Sequence, residues 1–92
     1  MDDKFADLTR GEIARKFISP MQKNLLEEFF GRGFAGAKER LANFYVPNNL
    51  LRESLKAYKE IARRTIAENL DKSGVQALRL QLVGKALAEI EG

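Results

Sequence analysis

The sequence predicts an all-α protein, a compact orthogonal bundle of about five helices with no sheet. Three observations carry this. Residues 50–70, LLRESLKAYKEIARRTIAENL, place Leu51, Leu55, Tyr58, Ala62, Thr65 and Ile66 at steps of three and four, the spacing of one helix stripe. Helix-start signatures of the form S/T-x-x-E/Q occur at residues 9–12, 19–22 and 73–76. No stretch alternates apolar and polar residues as a half-buried strand would, and there are only two prolines to interrupt helices.

The elements follow in order along a single domain of residues 1–92. Residues 1–8 read as a loosely ordered arm that Phe5 and Leu8 can pin to the body. Thr9 and Glu12 form a capping box, and the first helix, about 10–18, buries Ile13, Phe17 and Ile18. Ser19 and Gln22 repeat the device with Pro20 at the first helical position. The second helix, about 20–30, carries Met21, Leu25, Leu26, Phe29 and Phe30, with Gly31 as its stop. The Gly-rich stretch 31–36 turns the chain into a third helix, about 36–44, whose apolar positions are Ala37, Leu41 and Phe44. Pro47 disfavours helix at Val46, and Asn48 or Asn49 can cap the fourth helix, about 50–69. The others pack around that helix, with Leu50 and Ile61 at the border of its stripe. A Ser73–Gln76 box starts the fifth helix, about 74–90. Its apolar face is wide enough to be covered on two sides, by helices or by a partner chain, and Gly84 within it suggests a close backbone approach.

Composition removes several function classes. The chain has no Cys, hence no disulfide framework, thiolate nucleophile or Cys-based zinc site. It has no His, which removes the commonest metal ligand and the usual general base near neutral pH. Serine triads, zinc hydrolases and His-dependent nucleases are therefore excluded within this chain, and no metal or cofactor is expected. The N-terminal MDDKFADL is acidic and has no apolar run, unlike a secretory signal. No segment approaches the ~18 apolar residues of a membrane span. The expected state is soluble. The net charge is +3, a mild excess that permits contact with nucleic acid or acidic lipid without requiring it.

The letters G-x-G-x-x-G at Gly31, Gly33 and Gly36 match a dinucleotide-binding fingerprint. That chemistry needs a strand ahead of the glycines, and an amphipathic helix precedes them here, so a hinge between helices is the better reading. Free N–H groups at the start of the third helix, with Arg32 and Lys38 nearby, form a weaker anion-holding alternative. Arg52, Lys56, Lys59, Arg63 and Arg64 make a basic face on the fourth helix. Such a row can hold phosphates as point charges. Glu53, Glu60 and Glu68 dilute it and no aromatic is interleaved to stack bases, so a solvated face, with Glu60 paired to Arg64, is favoured. Tyr58 lies in the apolar stripe and reads as a core residue whose hydroxyl finds one partner; Tyr45 is a second possible acid–base or nucleic-acid contact. Gln76 and Arg79 lie three apart on the polar side of the fifth helix and can dock on the C-terminal half of the fourth or form a ligand site, docking being favoured because Gln76 already has a capping role. Glu27 and Glu28 point ~100° apart on a helix and cannot share a substrate.

The string PNNLLRESLKAYKEIARR, followed by Ala67, Asp71 and GVQALRL, resembles the C-terminal end of bacterial polymorphic toxins. These are the variable tips of Rhs-type and related contact-dependent or type VI-delivered proteins. The resemblance covers about residues 44–90, half of the chain. Its sharpest part is the A-Y-x-E-I-A segment at residues 57–62 followed by G-V-Q-x-x-R-L at 74–80. FFGRGFAGAKERLANF is compatible with the same group. The resemblance implies a small helical effector module, present in the bacterial cytoplasm or delivered into a target cell as part of a larger exported protein. It also implies a cognate immunity protein as partner. If the module is catalytic, the matching positions are Tyr58, Lys59, Arg63, Gln76 and Arg79. Many tips of this class are nucleases that use His, and this chain holds none. Two alternatives stand beside it: a non-enzymatic interaction module, self-associating through the apolar face of the fifth helix, and a weak nucleic-acid binder using the basic face of the fourth.

Overall fold

A computed structural model describes residues 3–43 and 47–91, and its regular elements are helical among the described residues. A 3-10 turn at Asp3–Phe5 leads to α1 (Arg10–Phe17), α2 (Pro20–Asn43), α3 (Asn48–Ala67) and α4 (Val75–Glu91). The all-α class expected from the sequence is therefore found. Four helices replace the expected five, because the second and third run on as α2. The expected apolar position Phe44, the candidate Tyr45 and the extended segment at Val46 fall outside the described residues.

The join inside α2 is not smooth. Gly33 sits at φ 82° and ψ −177°, a region essentially reserved for glycine. The helix therefore breaks at Gly33 and not at Gly31, whose backbone stays helical. Gly36 completes the bend: a Cβ there would lie 2.5 Å from Arg32 Cβ. Arg32 then spans the bend, reaching Glu28 at 3.5 Å and Glu39 at 3.4 Å. The hinge reading of the glycines holds. Arg32 is engaged by two carboxylates, and Lys38 lies over the Phe34 ring at 4.8 Å, so neither side chain is turned to an anion at this corner.

α1 and α2 start as their sequences dictate. Glu12 N–H donates to Thr9 Oγ1 at 3.2 Å and Thr9 N–H to Glu12 Oε1 at 3.0 Å. Ser19 and Gln22 make the same reciprocal pair at 2.9 and 3.3 Å, each box satisfying two N–H groups that a helix start leaves without partners. The second box draws Gln22 into the interior and turns the adjacent Met21 outward, 51% exposed, contrary to its expected burial. Pro47 takes the N-cap position of α3, without a side-chain cap bond, so the cap expected from Asn48 or Asn49 is replaced by an earlier start.

α3 is the hub, since α1, α2 and α4 all pack on it. Leu51, Leu55 and Ala62 are buried as the stripe predicts. The buried arc is wider than that stripe, because Ser54 and Ala57 are also fully enclosed. Ser54 is accommodated by donating its hydroxyl to the Leu50 carbonyl at 2.7 Å, which removes the penalty of a buried unpaired polar group. One core joins α2, α3 and α4 through Leu25, Phe29, Leu41, Leu55, Val83 and Leu87. A second joins the N-terminal segment to α1 and α3 through Phe5, Ile13 and Ala57. Phe5 is 1% exposed and meets Phe17 edge-on at 5.0 Å between ring centres. The chain is therefore tied down at Phe5, and Arg64 adds a bond to the Phe5 carbonyl.

Gly84 is helical and exposed, and a Cβ there would meet nothing within 4 Å. The close approach expected at that glycine does not exist. The wide apolar face of α4 is only half used. Val83, Ala86 and Leu87 are buried, whereas Val75, Leu78 and Leu82 are 41%, 60% and 40% exposed.

Candidate functional site

The turn between α3 and α4 fixes what these two helices present to each other. α3 ends in a Schellman motif: Leu70 N–H reaches the Thr65 carbonyl and Asn69 N–H the Ile66 carbonyl, both at 3.0 Å. Asn69 supplies the left-handed residue at φ 58°, which Asn tolerates better than most side chains. Gly74 at φ 77° then folds the chain back. This brings the Asp71 carboxylate over the start of α4, where Oδ1 accepts from Gln76 N–H and Oδ2 from Ala77 N–H, each at 3.0 Å. An anion at a helix N-terminus is favoured by both the free N–H groups and the helix dipole.

The expected Ser73–Gln76 box is therefore not formed. Ser73 Oγ accepts only a long 3.4 Å bond from Val75 N–H, and the Gln76 side chain is released to face α3. There Gln76 Oε1 accepts the Tyr58 hydroxyl proton at 2.6 Å. Arg79, three residues along the same helix face, donates Nη1 to the Tyr58 oxygen at 3.1 Å. The Arg79 guanidinium also lies over the Phe30 ring at 4.7 Å, and the Phe30 and Tyr58 ring centres are 4.8 Å apart. α2, α3 and α4 thus contribute one side chain or more to a single cluster.

Phe30, Tyr58 and Arg79 of this cluster line a cleft of about 710 Å3 that opens between α1 and α2 above α3. Ala14 of α1 and Ile18 at its C-cap line it, with Leu26, Phe30 and Gly31 from α2 and Tyr58 and Ile61 from α3. Arg79 reaches in from α4, and Lys23 and Glu27 stand on the α2 rim, both exposed.

Three of the expected site residues, Tyr58, Gln76 and Arg79, are thus brought together. Lys59 and Arg63 are not among them. They line a separate hollow of about 420 Å3 with Phe5, Lys56, Glu60 and Leu87. The basic face of α3 is also divided among internal partners. Arg63 pairs with Glu60 at 3.4 Å, displacing the expected Glu60–Arg64 pair. Arg64 is turned to the Phe5 carbonyl, and Arg52 is half-buried, its Nε without a hydrogen-bond partner among the described residues. Of that row, Arg63 has an ion partner among the described residues, while Lys56 and Lys59 have none.

Chemically, the cluster is a short hydrogen-bonded network that holds its groups in place. Tyr58 gives its proton to a neutral amide oxygen, which does not accept it outright, and its second partner is a permanent cation. Among the described residues, no carboxylate is hydrogen-bonded to the Tyr58, Gln76 or Arg79 side chain. What it offers to a visitor is the unused edge of the Arg79 guanidinium above an apolar floor. Among the described residues, no group of three or more Asp or Glu side chains is arranged to hold a metal ion, and no helix is long and apolar enough to cross a membrane.

Sequence reasoning missed Phe30, Lys23 and Asp71. Phe30 was legible in principle: Phe29 and Phe30 are adjacent, so on a helix only one of them can face the core fully. Asp71 had no comparable local sign, because its partners lie five and six residues on and are reached only through the turn. Comparison with family models, curated proteins and solved structures returns no match.

Proposed function

We propose that this chain is a small helical effector-type domain from an interbacterial competition system, and that it works through the cleft beside Tyr58 and Arg79. The observation that carries the reading is a convergence. Three polar residues of the two segments that resemble toxin tips, Tyr58 from A-Y-x-E-I-A and Gln76 and Arg79 from G-V-Q-x-x-R-L, are joined by hydrogen bonds, and Tyr58 and Arg79 line a cleft of about 710 Å3. Segments separated by a turn need not share a surface, and these do. The cluster contains no base poised to abstract a proton, which favours action by binding over chemistry at these side chains. A cognate immunity protein fits the same reading as the partner that covers the cleft in producing cells.

The test is production of the chain inside bacteria. Growth arrest is expected, relieved by Arg79→Gln and by Gly31→Leu, which fills the cleft from an exposed helical position. Unaltered growth at high expression, or arrest that both variants leave intact while folded, would overturn the reading.

A second reading has its own observation: the stripe Val75, Leu78 and Leu82 on α4, exposed to 41%, 60% and 40%. Such a stripe suits self-association, since apolar side chains in a row gain by leaving water together. Light scattering would show a dimer that Leu78→Lys returns to monomer. A monomer at millimolar concentration would remove it.

A further inference from the structure

From the cleft beside Arg79 we infer a binding site for an amphipathic organic acid, an apolar body carrying a single carboxylate. This names the ligand class of the cleft and so rests on the reading above. The volume of about 710 Å3 falls within the ~300–1,000 Å3 typical of small-molecule sites. Leu26 closes the floor, with the half-buried Ile18, Phe30 and Ile61 around it. That lining suits an alkyl or aryl body.

Arg79 supplies the polar anchor. Its guanidinium is fixed twice, over the Phe30 ring at 4.7 Å and by Nη1 on the Tyr58 oxygen at 3.1 Å. No carboxylate pairs with it among the described residues. A guanidinium carries five N–H donors in a planar fork, so most remain unused after the Tyr58 bond. A fork held in advance matches a carboxylate with two parallel bonds and loses little further freedom when the ligand arrives.

The other charges at the cleft set the ligand's charge. Lys23 and Glu27 lie one helical turn apart on the rim, both exposed, and their fields oppose each other. The remaining single positive charge favours a monoanion over a polyphosphate. Gly31 lines the cleft, and a Cβ at that position would meet nothing within 4 Å, so a larger side chain has room there.

The probes are 4-phenylbutyrate and its neutral amide, titrated into the isotope-labelled full chain and followed by backbone amide shifts. Saturable shifts centred on Leu26, Phe30, Gly31 and Ile61 are expected. The acid should bind roughly tenfold more tightly than the amide, the worth of a modest charge-assisted hydrogen bond. Arg79→Gln should lower acid binding to the level of the amide and leave the amide unchanged. Gly31→Leu should weaken both while preserving the spectrum of the folded chain, and it decides the matter if Arg79→Gln does not fold. Absence of saturable shifts, shifts centred elsewhere, or equal binding of acid and amide would overturn the proposal. Growth arrest that persists while both probes fail removes the ligand class alone. Saturable binding by a chain that never arrests growth removes the effector reading alone.

Discussion

Replacing Asp71 with Ala separates the cap seen in the structure from the cap that the letters suggest. The Asp71 carboxylate accepts from two N–H groups at the start of α4, each at 3.0 Å. Loss of an N-terminal side-chain cap costs about 0.5–2 kcal/mol. Removing a negative charge from the helix N-terminus adds roughly 0.3–1 kcal/mol. Asp71 is partly exposed, which trims the electrostatic share, so about 2 kcal/mol is expected for Asp71→Ala. For a domain of this size each kcal/mol moves Tm by roughly 4–8 °C, and a fall of about 8–16 °C should be seen by circular dichroism. Ser73→Ala should cost under about 0.5 kcal/mol, because its 3.4 Å bond lies beyond the usual ~2.7–3.2 Å range. Asp71 also sets which face of α4 meets Tyr58. Asp71→Ala and Tyr58→Phe should therefore be non-additive by at least about 0.5 kcal/mol in a double-mutant cycle. A loss below about 0.5 kcal/mol for Asp71→Ala, or a larger loss for Ser73→Ala, would refute this account of how α4 begins.

Three further outcomes follow from the backbone and from charge. Gly84→Ala should raise stability by about 0.5–1 kcal/mol in urea unfolding, since the position is helical and open, whereas Gly33→Ala, at φ 82°, should lower it by roughly 1–3 kcal/mol; a loss at Gly84 would restore the close approach that the structure lacks. The Thr9 backbone N–H, and then its hydroxyl, hold the Glu12 carboxyl below its ordinary pKa of 4.5. The stabilisation it gives is present above that value and lost as pH falls through the lower folded one. Glu12→Gln should flatten this part of the acid limb of a stability–pH curve, and an unchanged acid limb would count against the box.

The sequence by itself determined what depends on near neighbours along the chain. The all-α class, the boxes at Thr9 and Ser19, and the burial of Leu51, Leu55 and Ala62 were all legible, because helix period and capping reach only three or four residues. Phe5 was visible as an anchor but not as a buried one. The tertiary structure decided what depends on contacts between helices. Gly33 rather than Gly31 takes the bend, although either glycine could adopt the required backbone. Asp71 displaces Ser73 as cap because Gly74 folds the turn back, and only then is Gln76 free for Tyr58. Helix geometry alone turns Lys59 ~100° away from Tyr58, and the packing decides that Lys59 and Arg63 share a separate hollow. Side chains on a helix surface point around its axis, so neighbours in sequence are assigned to different clefts by the helices packed between them.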